Sequence, residues 1–228
     1  LTDAGIELAE HARAMGDAAS RVSLAASGQS QQVEGLVTIS TTDLMAAHVL
    51  PDILRDLRKM APGIEIKVLC TNSLSDLRRR EADIAVRNAA PTQPDLYGKR
   101  LGDRTAWFYG TREVLRALAP EAIADYAGAH FVGFDRGTMM IDYLGAMGLP
   151  LTPANFPLVT SDHLVQWALA RQGAGLVAVM EEVGDADPSM VRAPFLPPIP
   201  VPMWLVSHRE LRTSRRIRVV FDRLAQAL

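Results

Sequence analysis

Short apolar segments alternate with amphipathic segments along the first half of the chain, and this alternation constrains the fold most. Three segments rich in β-branched residues are predicted strands: LVTIS (36–40), IEIKVLC (64–70) and DIAVR (83–87). Segments with helical spacing separate them, at 43–63 and 73–82. The first of these contains Pro51, which either kinks the helix or begins its second part. The β-α-β-α-β order predicts a parallel sheet with right-handed crossovers.

A second set of alternating segments follows in the other half of the chain. Its predicted strands lie at 130–134, 156–160 and 175–180, and its predicted helices near 138–147 and at 162–172. Two apolar strands, 105–111 and 201–208, would join the halves, with a turn-rich crossing segment at 91–104 and a terminal helix at 212–228. Two α/β halves joined by two crossovers predict a cleft that faces the carboxyl ends of the strands, where ligands bind in open sheets.

The N-terminal 27 residues have a heptad pattern. Leu1, Leu8, Met15 and Val22 recur every seventh position, and a second series contains only Gly and Ala. This pattern predicts a long helix that associates with a second copy through those four residues. The alternative is an amphipathic helix that lies on its own domain. A polar segment at 27–35, with glycine near both ends, is predicted to be a linker.

Composition excludes several classes of protein. The chain has 228 residues and a net charge of −2, so its overall charge does not favour nucleic acid or an acidic membrane surface. Cys70 is the single cysteine, which precludes an intrachain disulfide and suits a cytoplasmic protein. No apolar run is long enough to span a membrane. No common catalytic motif is present and the five histidines have no metal-ligand spacing, so we expect no enzyme, no metal and no cofactor.

Several motifs, taken in order, resemble one family. They are LTDAG (1–5) before a long helix, Gly35 with LVTIS, LPDILRDLRKMAPGIEIKV (50–68), DLRRREADIAVR (76–87) and the final segment WLVSHRELRTSRRIRVVFDRLAQAL (204–228). Together they resemble the linker helix and effector-binding domain of LysR-type transcriptional regulators. The resemblance spans essentially the whole chain. The family's winged helix-turn-helix would precede Leu1, so the sequence is interpreted as a fragment.

The resemblance implies an α/β fold of two Rossmann-like subdomains joined by two crossover strands, similar to periplasmic binding proteins, with an N-terminal linker helix. It divides the chain into a linker and dimerisation helix at 1–32, subdomain I at 33–107 and 207–228, and subdomain II at 108–206. It further implies a cytoplasmic homo-oligomer, a dimer here and a tetramer in full length, that responds to a small-molecule effector. Promoter DNA would be bound only through the missing N-terminal domain. Alternatives are the solute-binding receptor of a transporter with the same fold, and an α/β enzyme of unknown class.

Hydroxyl residues follow the first two predicted strands. Thr41 and Thr42 come after the first strand, and Thr71, Asn72 and Ser73 come after the second. Side-chain hydroxyls and free backbone N–H groups at a helix start bind anions. The alternative for such residues is capping of the following helix. We assign all five to the ligand site, and the resemblance gives Thr71 and Ser73 an effector contact.

Arg87 ends the third predicted strand, where its guanidinium would reach the same cleft. It could hold a carboxylate or phosphate with two parallel hydrogen bonds. The alternative is an ion pair with an acid such as Asp43 or Asp95. Asp83, at the opposite end of the strand, is interpreted as structural.

The second half contributes its own site candidates after its first two strands. These are Phe134 and Asp135, and then Ser161 and His163. The alternative for His163 is a solvated residue at a helix start. Hydroxyl, cationic and apolar groups together predict a small organic anion as the ligand, but they do not identify it.

Overall fold

The computed structural model describes residues 33–71, 82–118, 128–134 and 139–228, with residues 2, 5, 8, 11, 12, 15, 16 and 19 near the N-terminus. The predicted helix at 73–82 and the site candidates Asn72, Ser73 and Asp135 lie outside the described residues. The chain divides into two compact units. Unit 1 comprises Leu1–Thr41, Asp52–Leu101 and Met203–Leu228, and unit 2 comprises Thr42–Pro51 and Gly102–Pro202.

Unit 1 is built on parallel strands, as the sequence predicts. Strand β1 (Gly35–Thr41) lies between β2 (Ile64–Cys70) and β3 (Ile84–Arg87), and both neighbours are parallel to it. All four residues of β3 are buried, because β3 pairs on its other edge with the antiparallel strand β9 (Ile199–His208). The C-terminal helix α7 (Arg215–Ala227) buries Ile217, Val220 and Leu224, at the spacing of one helical face.

The helical segment after β1 forms two helices rather than one. Helix α1 (Asp43–His48) ends at Val49, and α2 (Leu50–Met60) begins directly after it. Pro51 lies in the first turn of α2, where its missing N–H has no intrahelical partner to lose, so it starts the second helix. Helix α2 then buries Leu50, Ile53 and Leu57 along one face.

Unit 2 contains the remaining elements. Its helices are α3 (Arg112–Ala117), α4 (Met139–Ala146), α5 (His163–Arg171) and α6 (Glu181–Gly184), and its strands are β4 (Leu96–Thr111, which begins in unit 1), β5 (Val132–Phe134), β6 (Leu158–Thr160), β7 (Val177–Met180) and β8 (Met190–Arg192). Strands β5 and β6 pair in parallel. Strand β4 pairs antiparallel with β7 and with β8. Short 3-10 helices lie at Pro153–Asn155 and Arg209–Thr213.

The prediction that 91–104 is a crossing segment before a strand at 105 was wrong, because β4 already begins at Leu96. The first half of β4 carries Lys99, Arg100 and Asp103, which are all exposed. Gly102, with a φ of +122°, also makes the strand harder to predict, because glycine is uncommon inside strands. A half-exposed strand with charged residues lacks the apolar run that marks a buried one. Helices α3 and α6 and strand β8 were not predicted either, since each has six residues or fewer.

Near the N-terminus, the described residues 5, 8, 11, 12, 15, 16 and 19 are helical, in agreement with the predicted N-terminal helix. Leu8 and Met15 are 71% and 74% exposed, so these two heptad residues do not pack on their own chain. Leu1 and Val22 lie outside the described residues. Across the described part of the chain, no helix has the length and apolar character needed to cross a membrane.

Candidate functional site

Polar side chains gather at the carboxyl ends of the three parallel strands of unit 1. Thr41 is in register with Cys70, the last residue of β2, and the backbone N–H of Thr71 donates to the Thr41 carbonyl at 2.9 Å. Arg87 ends β3 beside the end of β1. The structure therefore brings Thr41, Thr71 and Arg87 to one edge of the sheet, as expected for parallel neighbours.

The guanidinium of Arg87 is buried, with 8% of the residue exposed. Its Nη1 donates to the carbonyls of Ser40 at 3.1 Å and Val86 at 2.7 Å. Its Nη2 donates to the Ser40 hydroxyl at 2.6 Å. These three bonds hold the head in one orientation at the strand end. Sequence reasoning missed Ser40, which is an ordinary buried strand residue by its pattern.

The Thr41 side chain follows Ser40 in β1 and is almost fully buried, at 1% exposure. Within the described structure, its Oγ1 has no hydrogen-bond partner. A buried hydroxyl without a partner is destabilising, and such groups in native proteins call for an explanation such as a water or a ligand. The Thr41 hydroxyl therefore has unused capacity to form a hydrogen bond.

In unit 2, the carboxylate of Asp43 joins two helix starts. Its Oδ1 accepts from the backbone N–H of Leu44 at 2.7 Å, and its Oδ2 accepts from that of His163 at 2.9 Å. Thr42 caps α1 by accepting from Met45, and Asp162 caps α5 by accepting from Val165. The starts of α1 and α5 are thus occupied by carboxylates and a hydroxyl of the protein itself.

His163 is half-buried in unit 2, and its ring contacts other side chains there. Its ring stacks on Phe134 with centroids 3.9 Å apart and an interplanar angle of 13°. Its Nδ1 lies 3.1 Å from Oε1 of Gln166, whose Nε2 donates to the Val132 carbonyl at 2.7 Å. Because that carbonyl needs a donor, the Gln166 amide is oriented so that its Oε1 faces Nδ1 of His163. Gln166 was not predicted, although it lies one helical turn after His163, whereas Ser161 is exposed.

A small cavity of unit 2 lies beside this pair. Its volume is about 50 Å3, and its lining includes Phe108, Phe131, Phe134, Phe156, His163 and Gln166. Phe131 packs edge-on against Phe108 and stacks on Phe156, with ring centroids 5.6 and 5.4 Å apart. The cavity wall is therefore mainly aromatic, with the Gln166 amide and the His163 ring at its polar edge.

A polar network fixes the short helix α6 to β4. The Tyr109 hydroxyl donates to Asp185 Oδ1 at 2.7 Å, and Arg192 Nε donates to both of them. Burial, and then the hydrogen bond to Asp185, raise the pKa of Tyr109 to about 12. The hydrogen bond from Arg192 lowers the pKa of Asp185. Arg192 also lies over the Trp107 ring, 4.9 Å from its centroid.

Asp83 has a structural contact at the opposite end of β3. Its Oδ2 accepts from the backbone N–H of Thr38 at 2.8 Å, and its own N–H donates to the Thr38 carbonyl at 3.0 Å. Burial raises the pKa of Asp83, and the hydrogen bond from the backbone N–H of Thr38 opposes this increase. No group of three or more His, Cys, Asp or Glu residues that could hold a metal ion occurs among the described residues.

The chain matches the sequence model of the LysR substrate binding domain over residues 30–228. Among solved structures, it is similar to the regulatory domain of CrgA from Neisseria meningitidis, with a TM-score of 0.72 and 20% identity over 85% of this chain and 98% of that one. It is also similar to the AmpR effector domain of Pseudomonas aeruginosa, with a TM-score of 0.65 and 18% identity over 85% and 97% of the two chains.

Full-length AphB of Vibrio cholerae, a virulence activator, gives a TM-score of 0.71 and 14% identity, covering 100% of this chain and 81% of that one. No curated protein sequence matched the chain. At these identities the structures show the periplasmic-binding-protein-like fold, and the family match favours a regulator over the receptor of a transporter. The chain belongs to the LysR substrate binding domain family, and it is the effector-binding region of a LysR-type transcriptional regulator.

Proposed function

We propose that this region binds a small organic anion and that Arg87 of unit 1 is the residue that anchors it. The observation that carries the proposal is the buried, oriented guanidinium of Arg87 at the carboxyl end of β3, next to the end of β1. A guanidinium has five N–H donors in a planar fork, which matches the geometry of a carboxylate or phosphate.

The hydrogen bonds from Arg87 to Ser40 and Val86 support this role. A long side chain normally loses rotamer entropy when it fixes a ligand. Here the protein has already restricted the head, so less entropy remains to be lost on binding. A charge-assisted bond is also stronger in a partly dry site than in water.

The other assigned residues complete the proposal. Thr41 and Thr71 would form neutral hydrogen bonds with the ligand. Asn72, Ser73 and Asp135 would contact the ligand as well. In unit 2, Thr42 and His163 already have protein partners, so we expect Phe134, Ser161 and these two to contact neutral parts of a ligand and not its anionic group. Subdomain I would comprise residues 33–107 and 207–228, and subdomain II residues 108–206.

The remaining parts of the proposal concern assembly. Residues 1–32 would pair two copies through Leu1, Leu8, Met15 and Val22, giving a dimer for this fragment and a tetramer for a full-length protein. Promoter DNA would be bound by a domain that precedes this region, in the cytoplasm, where transcription takes place. The effector would change transcription by binding to this region.

A binding experiment tests the role of Arg87. A library of small carboxylates and phosphates is screened by thermal shift, and the compounds that stabilise wild type are then titrated by calorimetry. Arg87→Ala should weaken binding by roughly 2–4 kcal/mol, and Arg87→Lys by less, because it keeps the charge and loses the fork. Arg55→Ala is the control, since Arg55 pairs with Asp52 on an exposed helix surface.

Thermal melts of both variants would establish that they fold. Wild-type affinity in Arg87→Ala would show that Arg87 is only a structural residue, and the ligand would then be sought among neutral molecules. If no compound of the library stabilises the wild-type protein, the proposal that the ligand is an anion would be contradicted.

A further inference from the structure

We propose that unit 2 contains a ligand site of its own, which takes a small neutral apolar group and rejects both anions and six-membered rings. The site is the aromatic cavity beside Phe134 and His163. This inference goes beyond the proposed function and is argued from unit 2 alone.

The cavity is apolar over most of its wall. Phe108, Phe131, Phe134 and Phe156 line it, together with Met140 and Leu176. An apolar wall of this kind excludes water and favours apolar ligands, since a buried water needs two to four polar partners.

The polar atoms at its edge are already satisfied. The Gln166 amide donates to the Val132 carbonyl, and its Oε1 lies 3.1 Å from Nδ1 of His163. The Gln166 amide is therefore held in place by protein partners and needs no hydrogen bond from a ligand. An entering group therefore gains affinity from burial of apolar surface, about fourfold for each methylene.

Charge at the edge selects against anions. His163 lines the cavity, and its backbone N–H is held by the carboxylate of Asp43. This carboxylate offsets the positive end of α5, which would otherwise attract an anion. The N–H of His163 is already bound to this carboxylate, and an anionic group would lose its hydration against the aromatic wall.

Size gives the second restriction. The cavity measures about 50 Å3. A cavity of roughly 150 Å3 holds benzene, and one water-sized group needs about 10–15 Å3 on the same kind of measure. The space in unit 2 therefore fits about three to five such groups, which corresponds to a short alkyl chain, and it is about one third of the volume that holds benzene.

The test uses the whole chain with 13C-labelled Leu and Val methyl groups, read by NMR. Four probes are added separately: xenon, 1-propanol, propionate and benzene. Xenon and 1-propanol should shift the resonances of Val132 and Leu176, which line the cavity. Propionate and benzene should leave them unchanged. Equal shifts with propionate would overturn the charge restriction, and equal shifts with benzene would overturn the size restriction.

Two variants locate the site. Ala178→Leu fills the cavity from β7 and should abolish the shifts with xenon, whereas Ala146→Leu, at an exposed position of α4, should preserve them. Met140→Ala enlarges the cavity and should allow benzene to bind. Undiminished xenon shifts in Ala178→Leu would place binding elsewhere. If Met140→Ala stays closed to benzene, the cavity does not set the size limit. These outcomes do not depend on Arg87, so the site can fail while the anion proposal stands.

Discussion

The carboxylate of Asp43 accepts a hydrogen bond of 2.9 Å from the backbone N–H of His163, 120 residues away in the sequence. The same side chain accepts from Leu44 at the start of α1. One buried acid therefore completes the first turns of two helices and ties the segment 42–51 to the rest of unit 2.

Replacing Asp43 by alanine should destabilise the protein by about 1–3 kcal/mol, because the N–H of His163 loses its partner in a partly buried place. Asp52→Ala is the matched control, since Asp52 also lies in the first turn of a helix but is 80% exposed. That control should stay within about 0.5 kcal/mol of wild type. Urea unfolding followed by circular dichroism measures both, and similar losses in the two variants would contradict the assigned role of Asp43.

Neighbouring threonines should respond in opposite directions to substitution by valine. Thr41→Val removes a buried hydroxyl that has no partner in the described structure, so the unliganded protein should gain stability, by about 1 kcal/mol. Thr42→Val removes the N-cap of α1 and should lose about 1 kcal/mol.

The two variants are compared by differential scanning calorimetry without ligand and then with an anion from the screen. Thr41→Val should also weaken anion binding, although it melts at a higher temperature. A variant that is both less stable and equally able to bind would show that Thr41 has an ordinary structural role.

Two glycines should respond differently to substitution by alanine. A Cβ at Gly184 would clash with the Tyr109 ring, so Gly184→Ala should force α6 away from β4 and destabilise by about 1–3 kcal/mol. Gly145 lies in α4, and a Cβ added there would have no atom within 4 Å, so Gly145→Ala should stabilise by about 0.4–1 kcal/mol. Denaturant midpoints of the two variants should thus move in opposite directions from wild type.

Tyr109 should make stability fall at high pH. Its pKa is raised to about 12 in the folded protein, against about 10 in an unfolded chain. Between these pH values the folded state keeps a proton on Tyr109 that the unfolded state has released. The stabilisation from the protonated phenol is therefore complete below pH 10 and is lost as the pH rises towards 12. Unfolding free energies measured across this range should fall less steeply in Tyr109→Phe. An identical slope in the variant would contradict the burial of the phenol.

The N-terminal helix should support association through its exposed apolar residues. Leu8→Glu with Met15→Glu places charges at two heptad positions and should shift the protein towards monomer by at least tenfold in Kd. His11→Ala, at an exposed helical position of the same segment, is the control and should leave the association unchanged. Sedimentation at several protein concentrations measures both, and an unchanged distribution in the double variant would exclude pairing through this helix.

Much of the fold could be predicted because local patterns mark it. The apolar β-branched runs at β1, β2 and β3 indicated both the strands and their parallel order, and Arg87 was placed at a strand end from its position alone. The first half of β4 escaped prediction because exposed charged residues replace the apolar run. Its pairing could not be predicted either, because that pairing depends on neighbours far along the chain.

The candidate site was harder to predict than the fold. Hydroxyls after strands were found by position, but their partners were not. The contact of Asp43 with His163 and that of Arg87 with Ser40 join residues 120 and 47 positions apart. No spacing rule connects such residues, since only the completed topology brings them together. Gln166 was overlooked because an amide on a helix has no distinctive pattern until its carbonyl partner is known.

The central strand β3 pairs on one edge with β1 and on the other with β9, where Val86 is opposite Leu205. A ribosome makes β9 more than a hundred residues after β3, close to the end of the chain. Until then the growing polypeptide exposes an apolar strand edge that can pair with another nascent chain. Unit 1 therefore completes its sheet only after β9 has left the ribosome, so the need for chaperones during synthesis should depend on β9 rather than on the residues made first.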